Sequence, residues 1–184
     1  MASSMRHRII GRCERCMSHR SWSDGTCWLD RLRYCGVELS ADMTAPCAPS
    51  ELFGWIDDLS LYPSWMGLVH RAEPVDPRAG NPRWNVELRA RVGPFARSKR
   101  LVMARTVCIP NEHVVFERDE TDGRQHSVWR LAARVAEAGS GSTLVMELHY
   151  GGSLWTGGLA ERVLHDEIVR SRDRLVNRIA ETRL

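Results

Sequence analysis

The chain has 184 residues and is 43% hydrophobic, enough to bury a core in one ordinary domain without disulfide staples. No apolar run approaches the ~18–20 residues of a membrane span. The step Ile9-Ile10 is too short for a signal-peptide core, so the cytoplasm is the expected location. The formal charge of +3 is unevenly placed. Residues 1–35 hold seven arginines against Glu14, Asp24 and Asp30, which leaves residues 36–184 near neutral at −1. Nucleic-acid binding needs a concentrated basic face, and the body does not supply one. Only Lys99 among the 26 Lys and Arg is a lysine, a bias that fits GC-rich coding better than phosphate contacts.

Residues 1–36 form a basic, cysteine-containing extension. Cys13-x-x-Cys16, with His19, Cys27 and Cys35 nearby, has partial zinc-site spacing. No second C-x-x-C follows, and the seven residues between Cys27 and Cys35 fit no common zinc knuckle. The segment has neither a 3.6 nor a 2.0 apolar period. It is expected to be disordered, or to precede the true start, with no metal and no cofactor.

From Val37 the pattern sharpens. Val37, Leu39, Ala41 and Met43 alternate with Glu38, Ser40, Asp42 and Thr44, which predicts a half-buried strand. Ala45-Pro46 ends it. Pro49 then opens a short helix with Leu52, Ile56 and Leu59 on one face, and a second helical piece closes near Trp65. Strands are expected at Trp84–Val92, Leu101–Ile109, Val114–Asp119, Ser127–Ala136 and Thr143–Tyr150, with turns at Gly93-Pro94, Pro110–Glu112, Asp122-Gly123 and Gly139-Ser140.

Two-residue turns then predict cross-strand neighbours. They place Val107 opposite Phe116, Ile109 opposite Val114, Phe116 opposite Trp129 and Trp129 opposite Tyr150. Leu131 meets Leu148, and Ala133 meets Met146. Apolar residues would face apolar residues across three hairpins, a register that a one-residue slip would break. The chain closes with a helix of roughly 27 residues at 1.5 Å per residue. Leu164, Ile168, Val169, Leu175, Val176 and Ile179 form its apolar stripe, and Arg172 falls in the same sector.

The order of these elements, with Ala45-Pro46, Leu52, Trp55-Ile56-Asp57-Asp58 and Tyr62-Pro63-Ser64-Trp65, resembles the START-like superfamily, also called SRPBCC, of polyketide cyclases/dehydrases and lipid-transfer proteins. The resemblance covers Val37 to Thr182 and carries no catalytic signature. It implies an α+β helix-grip fold over residues 37–184, a curved antiparallel sheet wrapped around a long C-terminal helix, with a hydrophobic cavity between them. It also implies binding or transport of a lipid, polyketide or isoprenoid-like molecule. A polyketide aromatase/cyclase-type enzyme is the first alternative, and a ribosome-associated toxin-like interaction module is the second.

Strand parity assigns Trp84, Leu88, Met103, Phe116, Trp129, Leu131, Met146 and Tyr150 to the concave face, with Leu164 and Ile168 facing them from the helix. These are the expected ligand contacts, although plain core packing accounts for each taken singly. Arg105 and Arg118 share that parity and are expected opposite each other across neighbouring strands. They either clamp an acidic group on the ligand or reach the sheet end and pair with Glu120. The seven histidines match no metal or nucleophile motif. Tyr150 is the best single proton donor if the cavity supports chemistry.

Overall fold

The alternation from Val37 produces strand β1 (Val37–Ala45), which pairs antiparallel with the last strand of the chain. The computed structural model describes residues 37–92, 95–151 and 158–183, and it describes side chains for all of these except 37–38, 90–92, 95–97, 158–165 and 168. The N-terminal extension with its cysteines therefore lies outside the described residues. After β1 come helix α1 (Pro49–Gly54) and a 3-10 helix (Leu59–Ser64). Six more strands follow: β2 (Val69–Arg78), β3 (Asn81–Val92), β4 (Phe95–Ile109), β5 (His113–Arg118), β6 (Trp129–Ala138) and β7 (Gly141–Tyr150). Helix α2 (Gly158–Glu181) ends the series. The seven strands make one antiparallel sheet in the order β1-β7-β6-β5-β4-β3-β2, and α2 packs against β1 and β3. This is the α+β helix-grip arrangement.

Local chemistry fixes the helical corner. Pro49 occupies the first turn of α1, where a missing N–H costs nothing, and Leu52 and Phe53 are buried. Asp58 caps the 3-10 helix by accepting from Ser60 N at 2.8 Å, and it also accepts from Trp84 Nε1 at 3.0 Å. The Tyr62 hydroxyl donates to Ile56 O at 2.9 Å from a fully buried position. Burial first, with Asp57 and Asp58 nearby, pushes that phenol well above its usual range. It stays neutral and structural.

The C-terminal end of β1 is held by a close approach. A Cβ on Gly141 would lie 2.3 Å from Ala45 O, so the chain needs glycine there. The next residue, Ser142, donates its hydroxyl to Cys47 O at 2.6 Å.

The β6–β7 hairpin has the expected register: Trp129 faces Tyr150, Leu131 faces Leu148 and Ala133 faces Met146. Two other hairpins differ. The β4–β5 connection has three residues, with Asn111 at φ +65°, so Ile109 faces His113 rather than Val114. A bulge between Arg105 and Val107 then sets Arg105 opposite Phe116 and Met103 opposite Arg118. Arg105 and Arg118 are therefore not cross-strand partners, and Val107 and Ile109 stand exposed instead of facing the core. Between β5 and β6, Asp122-Gly123 is only the tip of a longer loop, which moves Phe116 from Trp129 to Leu131. That shift is two residues, so the buried face survives it.

Candidate ligand cavity

Between the sheet and α2 lies a cavity of about 140 Å³, lined almost wholly by apolar side chains. An apolar recess of this kind is a natural site for an apolar guest.

Three segments build its wall. From β1, Leu39, Ala41 and Met43 point inward at alternate positions. The 3-10 helix and the residue after it give Leu59, Tyr62 and Trp65, three residues apart, as the 3-10 period requires. The central strands supply Leu88, Leu101, Met103, Trp129, Leu131 and Met146. On α2, Ser171, Leu175 and Ile179 are buried one turn apart, and Val169 and Arg172 reach the cavity beside them. Glu167 lines it too, held by Arg174 at 3.0 Å and Arg170 at 3.3 Å.

Of the expected contacts, Leu88, Met103, Trp129, Leu131 and Met146 line the cavity. Trp84, Phe116 and Tyr150 are buried behind it: Trp84 meets Phe116 edge-on at 5.7 Å, and Tyr150 tilts over Trp129 at 4.6 Å. Trp84 is occupied further by its bonds to Asp58 and to Ser60 Oγ, 3.0 Å each. The side chains of Leu164 and Ile168 lie outside the described residues.

Neither arginine lines the cavity. Arg105 donates to Asp57 O at 2.9 Å and lies 3.5 Å from Asp57 Oδ2, tying β4 to the helical corner. Burial, opposed by Arg105 and reinforced by Asp58, holds the Asp57 carboxyl above its usual range. Arg118 bonds Glu120 through Nε at 2.9 Å, Ser127 O at 3.2 Å and His126 Nδ1 at 3.0 Å. His126 Nε2 in turn contacts Asp122 Oδ1 at 2.6 Å. That bond, first among several contacts, holds the Asp122 carboxyl below its usual range. Arg118 thus pairs with Glu120, the second of the two arrangements expected for it.

Sequence reasoning left Leu59, Tyr62 and Trp65 out of the site, although their spacing of three was available. It also passed over Lys99. The Lys99 Nζ stands 5.3 Å from the Trp129 ring centre and 5.1 Å from that of Tyr150, within cation–π range of both. Burial, then the nearby Arg118 guanidinium, hold its amine below the usual lysine range, partly offset by Glu120. Among the described residues no His, Cys, Asp and Glu cluster could hold a metal, and no helix is long and apolar enough to cross a membrane.

Comparison with known proteins agrees with this architecture. The family model for polyketide cyclase / dehydrase and lipid transport matches residues 46–176. No curated protein matches the chain in sequence. Among solved structures, a protein from Thermus thermophilus is 18% identical, with a TM-score of 0.60 over 79% of this chain and 98% of its own. A START superfamily protein from Mycobacterium smegmatis gives 12% identity and a TM-score of 0.59 over 79% and 98%. The Zhui aromatase/cyclase from a Streptomyces species gives 11% and 0.58 over 78% and 93%. At these identities the likeness is one of fold. The family model spans well over half of the residues, and on that ground the chain belongs to the polyketide cyclase/dehydrase and lipid transport family.

Proposed function

We propose that residues 37–184 bind and carry a hydrophobic small molecule of lipid, polyketide or isoprenoid type. The observation that carries this reading is the apolar cavity between the sheet and α2. Transfer of apolar surface out of water would drive binding at about 25 cal/mol per Å². The neutral probe N-phenyl-1-naphthylamine tests it by fluorescence. Wild-type protein should enhance its emission saturably, and Ala41→Phe, which fills the wall from β1, should weaken binding at least tenfold without lowering the melting temperature. Equal binding by a folded Ala41→Phe variant would move the site elsewhere.

An aromatase/cyclase-type enzyme is the second reading, favoured by the ionisable groups that reach the wall, Asp42, Glu167 and Arg172. It is weakened by the position of Tyr150 behind Trp129 and by the engagement of Glu167 with two arginines. Conversion of a poly-β-ketone, abolished by Glu167→Gln, would put the enzyme first.

A further inference from the structure

We propose that the Trp129 end of the cavity is a carboxylate subsite, where the Lys99 ammonium and the Trp129 indole N–H hold the acidic end of an otherwise apolar ligand. This rests on the cavity being a ligand site and adds the chemical class of the ligand.

Register places Lys99 on the cavity face. Alternate residues of a strand share a face, and Lys99 is followed at that spacing by Leu101 and Met103, both in the cavity wall. Its cross-strand partner is Leu88, also in the wall. Lys99 stands one position beyond the wall residues of that β4 row, outside the wall itself, and its Nζ lies 5.3 Å from the ring centre of Trp129, which is a wall residue.

Charge balance singles out the same group. Arg118, the neighbouring cation, is neutralised by Glu120, and Arg105 by Asp57. Among the described residues no carboxylate pairs with Lys99, whose hydrogen-bond acceptor there is Ser127 Oγ at 3.4 Å. Two ring faces solvate the ammonium only partly, and burial first, then Arg118, lower the basicity of the amine against the opposing effect of Glu120. A carboxylate at this end would supply it.

The second donor is independent of the first. Trp129 Nε1 is buried without a hydrogen-bond partner, a costly state for a strong donor. A ligand oxygen that reached Nε1 would give it the acceptor it lacks. A carboxylate has two oxygens, enough for both N–H groups, whereas an ester lacks the charge that makes the ammonium contact strong.

The test displaces bound N-phenyl-1-naphthylamine with decanoate, methyl decanoate and decan-1-amine at pH 7.5. Wild-type protein should prefer decanoate over its methyl ester by about tenfold or more and should bind the amine most weakly. Lys99→Met, which keeps an apolar side chain of similar length over Trp129 and Tyr150, should lose the preference and bind acid and ester alike. Lys99→Gln gives a second neutral variant should the first fail to fold, and Lys99→Arg should keep most of the acid preference. Equal affinity for acid and ester in the wild type overturns the subsite and leaves the cavity reading intact. An acid preference that survives Lys99→Met overturns it as well. If none of the three displaces a bound probe, the cavity reading falls and the subsite with it.

Discussion

Arg118 and Glu120 form a nearly enclosed ion pair at the end of β5, with side chains only 10% and 14% exposed. The guanidinium also holds Ser127 and His126, so one side chain organises the loop that carries Asp122-Gly123. Glu120 lies 3.4 Å from Val102 N as well, which fastens the loop to β4.

Removing Arg118 leaves the largely enclosed Glu120 without its guanidinium partner, with His126 Nε2 at 3.0 Å as the remaining nitrogen contact. Arg118→Leu should therefore cost about 3 kcal/mol, read as a lower denaturation midpoint with an unchanged slope. A ligand clamp requires the opposite sign, because two mutually repelling arginines would be relieved by the change. An apo protein stabilised by Arg118→Leu would contradict the network.

The strands whose apolar residues alternate in the sequence, β1, β3, β6 and β7, are legible there, as are both short helical pieces. β2 is not. It is an edge strand paired only to β3, exposed over most of its length, and it contains Pro74 and Pro77. A strand bonded along one side tolerates proline and needs no alternation, so it leaves little pattern to read. The bulge in β4 is equally silent, since no residue type marks it, yet it decides where Arg105 points. The cavity wall was legible where it follows strand parity, at Leu88, Met103, Trp129, Leu131 and Met146, and missed where the 3-10 helix supplies it. Lys99 is missed because the expected strand begins at Leu101, whereas β4 begins at Phe95 and includes it.

A histidine gives the expected pH dependence. His113 opens β5 with Nε2 buried and unpartnered. Burial first, then Arg134 and Arg130, lower its basicity, and Glu147 offsets part of this. The unfolded chain, at about pKa 6.5, then binds a proton more readily than the folded one. Stability from this group should be complete above pH 6.5 and fall as pH drops towards the folded value, below which the loss is constant. Urea titrations of wild type and His113→Gln between pH 5 and 8 should show a shallower acid limb in the variant. Parallel curves would assign the acid sensitivity to other groups.

The last expectation concerns where the folded unit begins. Residues 1–36 carry neither a 3.6 nor a 2.0 apolar period, so a chain starting at residue 37 should melt with the full-length protein and bind the apolar probe equally well. A chain starting at Met43 should do neither. It loses the pairs from Val37 with Tyr150 to Asp42 with Val145, which are most of the ladder covering β7. It also loses Leu39 and Ala41 from the cavity wall. An exposed β7 is a further liability, because an uncovered strand edge invites pairing with another chain. The shorter chain should show a lower melting temperature, weaker probe emission and concentration-dependent association. Identical melts for the two truncations would mean that β1 contributes nothing to the sheet.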